Sequence, residues 1–328
     1  MRFLYLTDTH IRGTAPRNRL DDFYETLKAK LTEVVKISHD QDVDYILHGG
    51  DWFDRPDISP SVVRDFSYIF REFEKPIYTV AGNHDVYGQN PDTVGRSMLG
   101  ILEALNLIKL IGSGEEIILS EPGLTVQLTG SSYRYDMDDP GLKERYRVKK
   151  RKDANYAVHL VHGMLLEKPF IQGVRFTLLD EIADTGADIT LSGHYHSGFG
   201  VKQRNGRYFI NPGSLVRMAA TKAEAERKPE VVVIHLADRI KIEEILLKSA
   251  LPADEIMNLQ HPAGEEEREM KLRMFFQRVE SAEQNARVDM QEIIRRIASD
   301  HGLEKAVKEE AIRRISLAGE SIHGEDEE

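Results

Sequence analysis

The sequence predicts an α/β fold in which short strands alternate with helices. Apolar runs of strand length occur at Arg2–Thr7, Val43–Leu47 and Pro76–Val80. Helix-like stretches lie between them at Asp21–Lys36 and Ser61–Phe73. This alternation indicates a sheet that gathers its functional side chains at the carboxyl ends of its strands. We therefore expect a site at one edge of the sheet.

Polar motifs stand at the ends of these strands and of two later ones, Tyr156–Val161 and Asp188–Leu191. The five motifs are Asp8–His10, Gly49–Asp51, Gly82–Asp85, His162-Gly163 and Gly193–His196. Each motif alone is weak, but their joint occurrence at strand ends favours one shared site over five unrelated loops. Glycines beside the polar residues allow tight turns and close backbone approach.

Seven side chains in these motifs suit a two-metal site. All are oxygen or imidazole donors, namely Asp8, His10, Asp51, Asn83, His162, His194 and His196. This donor set suits Mn, Fe or Zn better than Ca, and we expect Mn, with Mg also compatible. Two metals held about 3.5–4 Å apart are a common device for attacking phosphate esters. The expected cofactors are therefore two divalent ions that share a nucleophilic water.

Each polar residue can be given a role. Asp51 is expected to bridge the metals because it stands alone in its loop. The other ligands divide into Asp8, His10 and His196 for one metal and Asn83, His162 and His194 for the other. His84 is not needed as a ligand, so it is a candidate to stabilise the transition state or protonate the leaving oxygen, with Asp85 orienting its ring. The remaining histidines are predicted to be ordinary surface or core residues: His39, His48, His159, His235, His261, His301 and His323.

With these motifs the chain resembles the calcineurin-like metallophosphoesterases over residues 1 to 215. The resemblance implies a two-sheet α/β sandwich flanked by helices, with Asp51 bridging and His84 catalytic. Asn211-Pro212-Gly213-Ser214, after the strand Tyr208–Ile210, is similar to the closing motif of that family.

A narrower resemblance is to the SbcD-type DNA repair exonucleases, the bacterial counterparts of the meiotic recombination nuclease. It depends on four segments: Arg19–Phe23, Gly50–Pro56, Gly95–Gly112 and Pro212–Arg217 followed by Lys228-Pro229. The resemblance implies a DNA exo/endonuclease that works with an SMC-like ATPase of the SbcC type, and dimerisation through helices of the phosphoesterase domain. Residues 215–328 follow the closing motif in this sequence, so we expect the capping domain of the full-size nucleases to be reduced or absent.

The distribution of charge along the chain bears on whether it binds DNA. The net charge of −11 opposes nucleic-acid binding, although acids after residue 264 contribute much of it. Seven bases lie in the run 143–152: Lys143, Arg145, Arg147, Lys149, Lys150, Arg151 and Lys152. The run is either a phosphate-backbone contact beside the site or a solvated charged loop, with Tyr133, Tyr135 and Tyr146 offering rings for base stacking. Arg12, Arg17 and Arg19 are weaker candidates for DNA contact.

The chain after the motifs divides into further parts. Glu230–Leu236 and Arg239–Leu247 predict a hairpin that closes the second sheet, so the phosphoesterase domain spans residues 1–249. Residues 250–264 are predicted to be a linker and 319–328 a disordered acidic tail. Apolar residues from Leu272 to Ile297 recur at steps of three or four, so 265–318 are predicted to form a helical appendage. These helices either dock the ATPase or pack on their own domain.

Composition narrows the remaining classes. The chain contains no cysteine, so it has neither disulfides nor a thiolate metal site. No apolar run reaches the ~20 residues of a membrane span, and a cytoplasmic protein is expected. The alternatives left open are a cyclic-nucleotide phosphodiesterase or phosphomonoesterase on the same scaffold, and a non-catalytic scaffold protein. The basic run and helical tail count against a small-molecule enzyme, and the intact ligand set counts against a non-catalytic protein.

Overall fold

The computed structural model describes residues 1–170 and 174–259. Its strands are β1 (Arg2–Leu6), β2 (Tyr45–His48), β3 (Ile77–Thr79), β4 (Lys109–Leu110), β5 (Glu116–Glu121), β6 (Leu124–Ser131), β7 (Tyr156–His162), β8 (Leu165–Leu166), β9 (Thr177–Leu178), β10 (Ile189–Gly193), β11 (Gly200–Arg204), β12 (Arg207–Asn211), β13 (Glu230–Leu236) and β14 (Ile240–Leu246). Its α-helices are α1 (Phe23–Asp40), α2 (Pro60–Arg71), α3 (Met98–Ala104), α4 (Lys222–Glu226) and α5 (Ala253–Ile256).

Two six-stranded sheets form the fold. The first has the order β14-β13-β1-β2-β3-β4, and the second has the order β11-β12-β10-β7-β6-β5. β1 to β4 are parallel to one another, and so are β12, β10, β7 and β6. The outer strands β13, β14, β11 and β5 pair antiparallel. The expected two-sheet α/β sandwich flanked by helices is confirmed.

The first strand shows how the layers pack. Alternate residues of a strand point to opposite faces of the sheet. Phe3 and Tyr5 of β1 lie in the core between the two sheets, whereas Leu4 and Leu6 lie in the core that the helices cover. Because both faces of β1 are buried, its apolar run is continuous rather than alternating.

Side-chain caps decide where α1 begins. Oδ1 of Asp22 accepts a hydrogen bond from the backbone N of Glu25 at 3.2 Å, so the helix begins at Phe23. Asp21, the predicted first residue, instead binds the guanidinium of Arg19. The helix continues to Asp40, beyond the predicted end at Lys36.

The C-terminal hairpin joins a different sheet from the one predicted. β13 and β14 form the hairpin, but β13 pairs with β1 of the first sheet. The prediction that it closes the second sheet is therefore wrong. Val231 and Val233 pack under the helices while Val232 and Ile234 face the second sheet. An apolar run of this kind needs burial on both faces, and the position beside β1 provides it.

The first residues after the hairpin are packed rather than extended. Helix α5 lies within the stretch 250–264 that was expected to be a linker, and Ile256 and Met257 are buried with Ala253. The predicted docking segment 265–318 and acidic tail 319–328 lie outside the described residues. Among the described residues, no helix is long and apolar enough to cross a membrane.

Candidate metal centre

The carboxyl ends of five strands meet at one edge of the sandwich. Asp8 follows β1, Asp51 follows β2 and Asn83 follows β3, while His162 ends β7 and His194 follows β10. Potential ligand atoms of Asp8, His10, Asp51 and His196 all lie within 4.8 Å of one another, and so do those of Asp51, His162 and His194. Asp51 is common to both groups. A shared carboxylate between two ligand groups is the arrangement that a two-metal site requires.

Asn83 adjoins the second group. Its Oδ1 lies 3.2 Å from Nε2 of His162. The structure therefore brings together all seven side chains that the sequence singled out as ligands, divided between two groups as expected from the motifs.

Ring nitrogens and carboxylate oxygens converge in this centre without enough protein donors. Nε2 of His10 lies 2.9 Å from Nε2 of His196 and 3.7 Å from Oδ2 of Asp51. Among the described residues, neither Oδ2 of Asp51 nor Nδ1 of His10 has a hydrogen-bond partner, although both atoms are buried. Buried polar atoms without partners are costly. Divalent ions fit this donor set, because they would satisfy nitrogens and oxygens that point at one another.

The atoms that do have partners set the orientation of the ligands. The Gly49 carbonyl lies 2.7 Å from Nδ1 of His162, which leaves Nε2 of that ring facing Oδ2 of Asp51 at 3.3 Å. Oδ1 of Asp51 accepts a hydrogen bond from the backbone N of His84 at 2.9 Å. Such outer partners fix which ligand atom is presented.

Four of the ligands have left-handed backbone conformations that non-glycine residues rarely adopt. The φ angles are 52° at Asp8, 42° at His10, 53° at Asp51 and 76° at His194. Hydrogen bonds between the loops stabilise them: the N of Asp8 donates to the Gly50 carbonyl at 3.0 Å, and the N of His10 to the Asp51 carbonyl at 3.1 Å. Each such residue costs about 1–3 kcal/mol, and this strain is typical of functional sites.

Burial sets the protonation of three ligands. Burial lowers the pKa of His10 to about 4 and that of His194 to about 3, so both rings are neutral near pH 7 and can act as ligands. Burial is the main cause that raises the pKa of Asp8 to about 7, with His162 acting against it and the neighbouring Asp51 acting in the same direction.

At Asp51 and His162, the combined effect of neighbouring charges on the pKa outweighs that of burial. Burial opposes the charge on Asp51, but His162 and His84 hold the pKa of Asp51 well below its usual range. Burial also opposes the charge on His162, yet Asp51 and Asp8 raise the pKa of His162 to about 9. A cation bound between them would replace the proton on His162.

His84 lies beside the ligands with its ring held at one nitrogen. Nδ1 lies 2.7 Å from the carbonyl oxygen of Asp54, and the ring meets the His10 ring edge-on at 4.9 Å between centroids. Burial lowers the pKa of His84, but Asp51 and Asp54 outweigh it, so the pKa is raised above its usual value. The ring can therefore hold a proton near neutral pH for donation.

Asp85 does not have the role expected of it. Its carboxylate accepts hydrogen bonds from the backbone N of Gly82 at 2.9 Å and of Phe53 at 3.1 Å. It therefore joins the loops after β2 and β3, while the Asp54 carbonyl orients the ring of His84. The sequence did not single out Asp54, because the contact is made by its backbone carbonyl, which every residue has. Asp54 lies in Gly50–Pro56, one of the segments that are similar to the SbcD-type nucleases.

The three arginines after His10 have different surroundings. Arg12 pairs with Oδ2 of Asp54 at 2.9 Å, beside His84, and Arg17 is exposed. Arg19 is buried and bonds to Asp21 and to the Arg217 carbonyl. Arg19 as a DNA contact is therefore wrong: the fold uses its guanidinium internally.

The basic run is largely paired within its own domain. Its pairs are Lys143–Glu181, Arg147–Asp184, Lys150–Asp188 and Arg151–Asp153. Lys149 and Lys152 are exposed, and Arg145 is half-buried. These pairs reduce the charge that the run offers to a phosphate backbone.

The basic run 143–152 also extends away from the candidate metal centre, alongside β7. The Arg145 carbonyl lies 2.9 Å from Nε2 of His159, and the Lys149 carbonyl accepts from Nε2 of Gln127, which pairs with Ala157. Ala157 precedes His162 by five residues of β7, so Lys149 lies about 15 Å along the strand from the metal end. Only the start of the run lies beside the site.

The three tyrosines that were candidates for base stacking also have different surroundings. The Tyr133 ring lies 5.1 Å from the His194 ring between centroids, and Tyr135 is 60% exposed. Tyr146 is fully buried and donates to Oδ1 of Asp138 at 2.6 Å, so it cannot stack on a base. Of the histidines expected to be ordinary, His48 stacks on Trp52 and His159 bonds to Thr129.

Comparisons with known proteins agree with this geometry at the level of the family. A sequence model described as calcineurin-like phosphoesterase matches residues 1–198. Three solved structures are similar to the chain. TT1561 of Thermus thermophilus has a TM-score of 0.42 at 15% identity, covering 74% of this chain and 98% of that one.

The second is the sulfate thiohydrolase SoxB of Thermus thermophilus in complex with glycerol, with a TM-score of 0.45 at 14% identity over 77% of this chain and 58% of that one. The third is GAP50, the anchor in the inner membrane complex of Plasmodium, with a TM-score of 0.49 at 13% identity over 76% of this chain and 86% of that one. Similarity at this level does not indicate a shared substrate.

Proposed function

The chain belongs to the calcineurin-like phosphoesterases, and we propose that it is a two-metal phosphodiesterase that cleaves DNA. The observation that carries the proposal is Asp51, whose carboxylate is shared by two groups of ligands with His84 alongside. Phosphate-ester hydrolysis is the chemistry for which such paired sites are suited.

The residues of the chain divide the work. Asp8, His10, Asp51 and His196 would hold one ion, and Asp51, Asn83, His162 and His194 the other. When bound, the ions would activate water for attack and neutralise charge on the phosphate. His84, with Nδ1 held by the Asp54 carbonyl, presents Nε2 as the donor to the leaving oxygen. A proton donor is needed most when the leaving group is a poor one, such as the alkoxide of a sugar.

DNA as the substrate is supported by the resemblance to the SbcD-type nucleases in four segments: Arg19–Phe23, Gly50–Pro56, Gly95–Gly112 and Pro212–Arg217 followed by Lys228-Pro229. Arg12, which pairs with Asp54 beside His84, and the Tyr133 ring near His194 suit a phosphate backbone and a base, and Tyr135 offers a second exposed ring. The exposed Lys149 and Lys152 extend this surface away from the site.

Three further parts of the proposal depend on the same resemblance. Mn is the expected metal, and an SMC-like ATPase is the expected partner of residues 265–318. A homodimer through helices of the phosphoesterase domain is expected on the same basis.

A small phosphate ester is the second candidate substrate. The ion pairs of Lys143, Arg147, Lys150 and Arg151 favour it, because a charged run that is neutralised internally has less to offer DNA. A cyclic nucleotide or a phosphomonoester would use the same metals.

The test is hydrolysis with Mn²⁺ of a labelled linear DNA duplex, a cyclic dinucleotide and a phosphomonoester in parallel. Asp51→Ala is the inactive reference, and Asp57→Ala is the matched control because Asp57 is an exposed acid of the same loop that pairs with Arg55. Cleavage of the duplex by wild type and Asp57→Ala, but not by Asp51→Ala, is the expected result. Turnover of the small esters alone would replace DNA as the substrate, and no turnover of any of them would contradict the proposed chemistry.

A further inference from the structure

The segment that follows β12 holds two loops of the metal centre. Oγ of Ser214 donates to the carbonyl of Asp8 at 2.7 Å, and the N of Leu215 donates to the carbonyl of Thr7 at 3.1 Å. The N of Ser214 donates to the carbonyl of His196 at 2.9 Å. Asp8 and His196 belong to the same group of ligands. One short segment therefore contacts the backbone of two ligands of one metal.

Buried cations bind four successive carbonyls of this segment. Arg227 donates to the carbonyls of Ser214 at 2.6 Å and Val216 at 2.9 Å. Lys30 donates to the Leu215 carbonyl at 3.0 Å, and Arg19 to the Arg217 carbonyl at 3.2 Å. We call residues 214–217 with Lys30, Arg19 and Arg227 the carbonyl clamp.

The side chain of Arg217 extends the clamp. Its Nε and one terminal nitrogen donate to the Arg227 carbonyl at 3.1 and 2.6 Å. The backbone of Arg227 is thereby held in place while its guanidinium binds the segment.

Burying the cations of the carbonyl clamp carries a desolvation cost. Lys30 is 1% exposed and Arg217 3% exposed, and the partners of both are carbonyls rather than carboxylates. Burial, together with the charges of Arg19 and Arg217, lowers the pKa of Lys30 to about 7. Among residues 1–170 and 174–259, the acids that pair with these cations are Asp21, with Arg19, and Glu224, with Arg227. Apolar side chains would fill such a region with less desolvation cost, so the cations have a use beyond packing.

We propose that Lys30, Arg19 and Arg227 are positioning residues that act through Ser214 on the metal ligands Asp8 and His196. Asp8 adopts a strained left-handed backbone at φ 52°, and its own carbonyl is bound by Oγ of Ser214. Holding that carbonyl prevents the backbone from relaxing and keeps the carboxylate aimed at His196, whose Nε2 lies 3.5 Å from Oδ1 of Asp8. The inference depends on the proposed function only for the binding of metal and is independent of the substrate.

The test is Mn²⁺ binding to the metal-free full-length chain by titration calorimetry, together with thermal unfolding of the metal-free protein. Ser214→Ala removes the bond to Asp8. Ser38→Ala is the matched control, because Ser38 is also buried and donates to a backbone carbonyl, that of Val35 in α1. Outer partners of metal ligands change affinity by about 10–100-fold when removed, and a weakening of that size is expected for one of the two ions in Ser214→Ala. No change in affinity is expected in Ser38→Ala.

Lys30→Met tests the cationic part of the clamp separately. It keeps a long side chain but removes the donor to Leu215 and the buried charge, so folding is expected to survive. We expect the ion whose ligands include Asp8 and His196 to bind more weakly in Lys30→Met than in wild type. Ser214→Thr keeps a hydroxyl, so its affinity for that ion should be closer to wild type than that of Ser214→Ala.

The outcomes separate the two proposals. A wild-type chain that binds no Mn²⁺ contradicts the proposed metal chemistry as well as the clamp. A wild-type chain that binds two ions, with Ser214→Ala and Lys30→Met binding both as tightly, overturns the clamp alone. If Ser214→Ala does not fold, Lys30→Met decides the question by the same measurement.

Discussion

Gly82→Ala is the substitution with the most direct consequence for the bridging carboxylate. A Cβ atom at Gly82 would lie 2.0 Å from Oδ1 of Asp51 and 2.4 Å from its backbone N, whereas ordinary contacts lie at 3.4–4 Å. Both contacting atoms belong to a residue in a left-handed conformation, and Oδ1 is already bound by the N of His84. The carboxylate must therefore move by about 1 Å or more, because the crowded loop leaves no other relief.

The size of the effect follows from this overlap. Overpacking of a tight interior costs about 1–3 kcal/mol of unfolding free energy. For a chain of 328 residues, with an unfolding entropy of about 2.1 cal/mol/K per residue, that corresponds to a decrease in Tm of about 1.5–4.5 °C. Because the displaced carboxylate serves both groups of ligands, we expect both Mn²⁺ ions to bind at least about tenfold more weakly.

Thermal unfolding of the metal-free protein and calorimetric titration with Mn²⁺ measure the two effects. Gly95→Ala is the control, because a Cβ atom there meets no atom within 4 Å, and it should leave Tm unchanged or raise it by up to about 1.5 °C, whereas Gly82→Ala should lower it. A Gly82→Ala protein with wild-type Tm and wild-type affinity for both ions would refute the reasoning that close backbone approach at Gly82 fixes Asp51.

Three other predictions concern the same centre. His84→Ala should lower kcat by about 10²–10⁴-fold and leave Mn²⁺ affinity unchanged by calorimetry, since we propose that the ring donates a proton rather than holding an ion; equal loss of both would make it a ligand, in the group that its ring forms with His10 and Asp54. Mn²⁺ binding at pH 7 should release protons, because the pKa of His162 is raised to about 9 and a ligand must be deprotonated, so affinity should increase with pH up to about 9; a binding heat independent of the buffer would contradict this. Replacing Lys149 and Lys152 by alanine should flatten the salt dependence of duplex binding while turnover of a small diester is retained, and an unchanged salt slope would mean that the run is only a solvated surface.

The sequence was sufficient to predict which side chains converge at the candidate metal centre, because each of them lies in a short motif at the end of an apolar strand. Asp8, Asp51 and His162 are local features of this kind, and glycines beside them mark the close approaches. Strand register then brings such residues to one edge without further information, since parallel strands end together.

Roles carried by the backbone could not be predicted in the same way. Nδ1 of His84 is held by a carbonyl of Asp54 rather than by the carboxylate of Asp85, its neighbour in the sequence. A carbonyl is present at every residue, so no residue type signals which one will be used. The clamp on residues 214–217 is hidden for the same reason.

The composition of the run 143–152 and of the arginines after His10 does not show which of their charges are paired within the fold. Arg19 binds Asp21 and the carbonyl of Arg217, and Lys143 and Arg147 pair with Glu181 and Asp184. The hairpin β13–β14 joins the first sheet because that position buries both faces of its apolar run. The periodicity of the sequence does not indicate which strand lies beside it.

The amino-acid sequence by itself determined the strands, the motifs at their ends and the family, because these are written in contiguous residues. Only the tertiary structure decided which nitrogen of His162 faces Asp51, which cations bind acids and carbonyls of their own domain, and which segment holds Asp8 in its strained conformation. Those properties depend on contacts between residues that are up to 206 positions apart, as for Ser214 and Asp8, and such contacts exist only once the two sheets have packed.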